Sequence, residues 1–243
     1  MKVTQGSVSE SITRHLAGRI LHGQLAPGLS LPGENELAAE YAASRTSVRN
    51  ALQTLAAKGL VSIQAKKRST VAPREQWNLL DIDVLGWLSA GQLDYALVEQ
   101  LMVTRLIFEP NIATLAALHA NAGDLAEMEQ ALLLMRAGQE NHRRAQFESG
   151  DIAFHHALLQ ATHNPFLVSL GNALSAAMAL SFRRTAEQDL SQTREAVDEH
   201  YRLFEAVRFQ QPEQARQHMR TILLNAARKH IWQTPPGILR HIL

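Results

Sequence analysis

Apolar positions along SVSESITRHLAGRILH (7–22) fall at Ile12, Leu16 and Ile20, the repeat of a helix with one buried side, and Gly23 ends it. LAPGLSLPG follows, with Pro27-Gly28 marking a turn and Leu31-Pro32 an extended step. ENELAAEYAA (34–43) predicts a short helix with Leu37 and Tyr41 facing in. SRTSVRNALQTLAAKGL (44–60) then carries Val48, Ala51, Leu52 and Leu55 at i, i+3, i+4, i+7, with Ser44 as cap and Gly59 as stop. Arg45, Arg49 and Gln53 occupy another face of that helix. Leu60 to Ile63 and Ser69 to Ala72 alternate as two short strands around Lys66-Lys67-Arg68. Two short helices, a tight connection and a hairpin with a cationic tip predict a winged helix-turn-helix over 1–75.

The next stretch, 76–93, is too apolar for a free tether. Trp77, Leu80, Val84, Leu85, Trp87 and Leu88 predict a docked linker, with bends at Pro73 and Gly91. From 94 to 232 the pattern is helical: roughly 94–119, 122–139, 145–162, 165–184, 193–209 and 212–232. Breaks fall at Asn121-Ala122-Gly123, Asn164-Pro165, Ser191 and Gln210-Gln211-Pro212. The expectation is a mainly α chain: a winged head, an all-α bundle of six or seven helices, and a tail over 233–243.

Charge sharpens this division. The chain of 243 residues has a net charge of +1, from 24 Lys+Arg against 23 Asp+Glu. Residues 1–75 hold 10 Lys+Arg and 5 Asp+Glu, or +5; the remainder holds 14 and 18, or −4. A basic first third points to a polyanion-binding module on a body with another task. The absence of cysteine excludes disulfides and thiolate metal sites. No apolar run approaches the ~20 residues that span a bilayer, and no signal peptide opens the chain, so a soluble, cytoplasmic protein without a membrane partner is expected.

Candidate chemistry lies on both parts. Arginines at 45 and 49 can read guanine edges or hold phosphates in a major groove. In the body, Arg105 falls on an inward stripe with Val98, Leu101, Met102, Glu109 and Ile112, and a buried guanidinium needs a partner. Glu109, one turn on, and an anionic ligand are the two candidates. Pro110 removes a hydrogen bond within this helix and predicts a kink. Asp151 and His155, four apart, share one helix face and suit Zn²⁺ or a similar divalent ion; an ion pair or a helix cap is the plainer reading. His200 shares an inward stripe with Val197, Leu203, Phe204 and Val207.

LPGENELAAEYAASRTSVRNALQTLAAKGLVSI resembles the DNA-binding signature of the GntR family of bacterial transcription regulators. The resemblance implies a recognition helix starting at Ser44-Arg45, with Arg45, Thr46, Ser47 and Arg49 meeting double-stranded operator DNA. The wing has Lys67-Arg68-Ser69 where the family has a Gly-rich tip, which assigns Lys67 and Arg68 to phosphate. The body resembles the FCD effector domain of the FadR subfamily, in which an Asp and three His hold a metal beside a carboxylate effector. Asp151, His155 and His200 match three of those positions. Ile222 occupies the fourth, leaving His218 and Asn225, one turn before and after it, as candidate substitutes toward metal and effector. Arg105, within RLIFEP, matches the arginine used toward the effector. QWNLLDIDVLGWL, LMVTRLIFEPNIA and DIAFHHALLQATHNP resemble the sugar-acid regulators of this family, which implies a galactonate-like effector whose epimer only pocket geometry decides.

The resulting expectation is a homodimeric, ligand-responsive repressor holding a divalent metal such as zinc. A metal-dependent hydrolase is the rival, since three ligands and an open position can activate water. It lacks a residue at general-base spacing and has no use for the winged head. A DNA-binding structural protein whose bundle only dimerises is a third reading.

Overall fold

A computed structural model of the chain describes residues 7–65, 67–90, 95–171 and 193–230. Lys66, the bend expected at Gly91, the later part of the 165–184 helix, the break at Ser191 and the tail from 233 lie outside the described residues. Contacts divide the chain into two units, Met1–Asp94 and Tyr95–Leu243.

In the first unit, α1 (Val8–Leu21) opens on a reciprocal cap: Ser7 Oγ accepts from the Glu10 amide at 3.2 Å, and Glu10 accepts from the Ser7 amide at 2.9 Å. Its Ile12, Leu16 and Ile20 are buried, and α1 packs on α3 (Arg45–Ala57) through Val48, Ala51, Leu52 and Leu55. Ser44 caps α3 by accepting from the Ser47 amide at 3.0 Å. Between them, α2 covers only Glu34–Glu40, short of the expected Ala43. Tyr41 caps its end and Ala42 turns to φ +47°, which breaks the helical path. Tyr41 is half-buried rather than inward, with its hydroxyl 2.8 Å from His15 Nδ1.

Strand β1 (Val61–Ser62) pairs antiparallel with β2 (Thr70–Val71), in the register Val61↔Val71, and an isolated bridge joins Thr70 to Ser30. The wing is thus real but shorter than the alternation suggests. Gly59, at φ +73°, lies so close to the next segment that a Cβ would stand 1.9 Å from the Gln76 carbonyl oxygen. After a 3-10 turn at Arg74–Gln76, the buried Trp77 donates Nε1–H to the Ala72 carbonyl at 2.9 Å. Helix α4 (Ile82–Ser89) follows, capped by Asp81, with Val84, Leu85 and Leu88 buried and its length against α1. Leu80 remains 43% exposed. Lys58, at the end of α3, reaches Asp81 at 2.8 Å and Asp83 at 2.7 Å and lies over the Trp87 ring.

The second unit is helical throughout its described residues: α5 (Tyr95–His119), α6 (Ala122–Glu140), α7 (Arg144–Gln160), a helical stretch at 165–171, α8 (Arg194–Arg208) and α9 (Pro212–His230). Helix α5 runs through Pro110 and packs on α9, while α6 packs along α7. The pairing depends on two glycines. A Cβ on Gly138 would come 2.3 Å from the Phe147 amide nitrogen, and one on Gly150 would come 2.5 Å from that of Met135. Met102, Met128, Met135, Phe154, Leu203 and Leu223 fill the core.

The apolar run lengths need a further correction. Ala96–His119 is long and apolar enough to cross a bilayer by length and composition, with a mean hydropathy of 1.3. Scattered charges hid this from a search for uninterrupted apolar runs. Half of that window is buried against the rest of its own unit, as in the core helix of a helical bundle.

Candidate functional site

Ser44 starts α3 so that its first turn presents Arg45, Thr46 and Ser47, and Arg49 follows one turn later. Arg45, Thr46 and Arg49 are exposed and Ser47 is half-buried. Lys67 and Arg68 are exposed beside the hairpin. The sequence did not disclose that the arginines already have acidic partners. Arg49 donates through Nε and Nη2 to the two carboxylate oxygens of Glu34, at 3.2 and 2.9 Å. Arg45 Nη2 lies 3.9 Å from the same carboxylate, and Arg68 Nη2 donates to Glu36 at 2.8 Å. The bond from Arg49 holds the Glu34 carboxyl below its ordinary range.

In the body, α7 projects Asp151 and His155 from one face, and α8 brings His200 to meet them. All three are buried, with ligand atoms within 4.8 Å of one another. Asp151 Oδ1 lies 3.0 Å from His200 Nε2 and 3.4 Å from His155 Nε2, and the two Nε2 atoms are 3.4 Å apart. Donors placed about 2.0–2.1 Å from a tetrahedral zinc are about 3.3–3.4 Å from each other. The spacing therefore fits such an ion.

Tautomer evidence agrees. His200 Nδ1–H donates to the Ala196 carbonyl at 2.7 Å, and His155 Nδ1 lies 2.9 Å from Glu109 Oε2. The first bond sets the proton of His200 on Nδ1 and leaves its Nε2 as a ligand atom; beside His155 the Glu109 carboxylate favours the same tautomer by its charge, although the two are not aligned as a hydrogen bond. Asp151 Oδ1 is buried without a well-directed hydrogen bond. Three lone-pair atoms facing one another need a proton or a cation between them, so the donor set fits a divalent metal with a further position open.

Arg105 turns to Glu109, with Nε–Oε1 at 2.5 Å and Nη2–Oε2 at 3.3 Å. Glu109 is a partner of Arg105, and its Oε2 also lies beside His155. Glu109 thus joins the site although periodicity suggested only its bond to Arg105. Burial would raise its pKa, but Arg105 and then His155 outweigh burial and lower it to about 2. Burial would lower His155, but Glu109 and Asp151 raise it to about 9. Burial would raise Asp151, yet His200 and His155 hold it well below the usual carboxylate range.

His218 does not join the group. It is half-buried on α9, and burial together with the charge of Arg202 lowers its pKa. Asn225 donates to Glu199 Oε1 at 2.5 Å, and Ile222 is buried. His156 is paired with Gln160, and His163 sits in a loop against Asp124.

A pH dependence follows for the metal-free protein. The stability contributed by a raised His155 is complete below about pH 6.5 and is lost as pH rises through about 9. Melts in EDTA should fall in temperature across that window. A flat or rising profile would contradict the pairing.

A winged helix-turn-helix and an all-α body with a buried, charged cluster define a transcriptional regulator of two parts. The chain belongs to the GntR family of bacterial regulatory proteins, whose profile matches residues 8–71, and it carries an FCD domain over residues 100–225. It is similar to the galactonate operon transcriptional repressor of Escherichia coli K12, 38% identical over 221 residues, covering 91% of this chain and 96% of that protein. It is 31% identical to the HTH-type transcriptional repressor NanR of Klebsiella aerogenes, over 89% of this chain and 82% of that protein. A solved structure of Lar from Listeria monocytogenes shares the fold at a TM-score of 0.67 and 19% identity, covering 92% and 96% of the two chains. These relatives are transcriptional regulators, and the chain is a regulator rather than an enzyme.

Proposed function

We propose that this protein is a repressor of sugar-acid catabolism genes, released from its operator by a carboxylate effector bound in the helical body beside a divalent metal. Asp151, His155 and His200 would hold the ion. Arg45, Thr46, Ser47 and Arg49 would meet base edges and phosphates, with Lys67 and Arg68 on the backbone. A homodimer would set two recognition helices in successive major grooves, ~34 Å apart.

The observation that carries this reading is the charge of the buried cluster. Without metal, Arg105 balances Glu109 and a protonated His155 balances Asp151. Exchanging that proton for a divalent ion leaves Arg105, Glu109, Asp151 and the metal at +1 in total. A buried net charge is costly, and one bound carboxylate removes it. The effector's acid group would complete the metal's open position and share Arg105 with Glu109, while its hydroxyls would select among sugar acids. The similarity to a galactonate operon repressor points to the same ligand class. Coupling is reciprocal: operator DNA should weaken effector binding by the factor by which effector weakens operator binding.

The test is a thermal-shift panel of aldonates and uronates, with and without EDTA, followed by release of fluorescent operator DNA. At a hundredfold excess over Kd, binding should stabilise by about 2.7 kcal/mol, and EDTA should remove most of this. Stabilisation without DNA release would leave a binding protein that is no switch. No stabilisation by any acid, with or without metal, overturns the effector reading.

A further inference from the structure

The strongest feature outside the buried cluster is the acidic pair under the recognition helix. We propose that Glu34 is a specificity-determining residue: it orients Arg49 for base reading and opposes binding of the same face to arbitrary duplex. The proposal rests on the DNA-binding role of α3.

The geometry of the guanidinium carries the argument. Glu34 takes the Nε–Nη2 edge of Arg49 with both carboxylate oxygens, at 3.2 and 2.9 Å. The other edge, Nη1–Nη2, therefore faces away from Glu34. A guanine offers O6 and N7 to just such a two-donor edge. An arginine held by one fork while it reads with the other does not have to be ordered on arrival, so less conformational freedom is lost on binding.

The same carboxylate discriminates against non-specific contact. Affinity for arbitrary duplex comes from cations neutralising phosphates. Glu34 lies within 3.9 Å of both Arg45 and Arg49 and offsets part of their charge. Glu36 does the same for Arg68 at 2.8 Å. A phosphate approaching Arg49 from the Glu34 side meets a like charge; a guanine edge approaching the outer fork does not. Glu34 is itself about a third exposed, which leaves its charge effective toward solvent and polyanions. An ordinary surface ion pair would contribute a little stability and no selectivity.

The experiment uses the full-length protein, a short duplex enriched from a random pool by the wild type, and a scrambled duplex of equal composition. For Glu34→Gln, binding to the scrambled duplex should tighten about threefold to tenfold, with a salt slope steeper by about one. Binding to the enriched duplex should weaken, so the ratio of the two affinities falls at least about tenfold. In an Arg49→Ala background the same change should no longer weaken enriched-site binding, because the group it orients is gone. An unchanged ratio in a variant that melts like the wild type overturns the proposal, as does an equal weakening in both backgrounds. A wild type that enriches no sequence overturns the DNA-reading assignment of α3 and this inference together.

Discussion

His200→Ala should leave the purified protein almost free of metal, with an affinity for zinc lowered by at least about a hundredfold. Outer groups around a metal, which only orient its ligands, contribute about 10–100-fold, so loss of a ligand atom should reach or pass the upper end. His200 supplies the one donor that α8 contributes, at 3.0 Å from Asp151 Oδ1. Its removal leaves two donors on a single helix, too few to enclose an ion. The buried Asp151 also loses one of its two imidazole partners, so the metal-free body should melt lower as well. The head contains no part of this cluster, and operator binding without effector should stay within about twofold of the wild type. Elemental analysis and zinc titration read the first effect, and DNA titration with and without a sugar acid reads the second. Metal retained at the wild-type level would remove the three-ligand site from consideration.

Gly150→Ala should destabilise the body by about 3 kcal/mol or more, although it adds one methyl group. The added Cβ would lie 2.5 Å from the Met135 amide nitrogen and 2.9 Å from the Ala131 carbonyl oxygen. Both are backbone atoms of α6, which cannot turn aside as a side chain can. Helices α6 and α7 must separate, and Asp151 follows immediately on α7, so metal retention should fall with stability. For a domain of this size that energy corresponds to roughly 6–12 °C in melting temperature. Gly86→Ala provides the contrast: its Cβ would meet nothing within 4 Å, and the higher helix propensity of alanine should leave α4 as stable or slightly more so. Calorimetry that resolves the two units reads Gly150→Ala in the transition of the body and Gly86→Ala in that of the head. Equal, negligible shifts would show that α6 and α7 do not pack at the distance described.

Local signals made much of this fold legible. Ser7, Ser44 and Asn121 cap the helices that they precede, and Gly23 and Gly59 turn at positive φ where the periodicity stops. Asp151 and His155 were readable because four residues return a helix to the same face. His200 was not, since nothing in its own stripe says which helix it meets; the family resemblance supplied that link. Arg105 and Glu109 were legible as neighbours one turn apart, but the contact of Glu109 with His155 crosses from α5 to α7. The bond from Arg49 to Glu34 crosses a turn whose shape depends on Ala42 in a left-handed conformation, which alanine rarely adopts. Long-range side-chain pairing is set by how helices pack, and one-dimensional patterns carry no register for it.

Lys58 has a consequence for how a signal could be delivered within the head. It grips Asp81 and Asp83 while α4 lies along α1, so the last turn of the reading helix is bolted to the segment through which the chain leaves this unit. A pull on that exit is shared among α1, α3 and α4, so the first unit resists it as a whole.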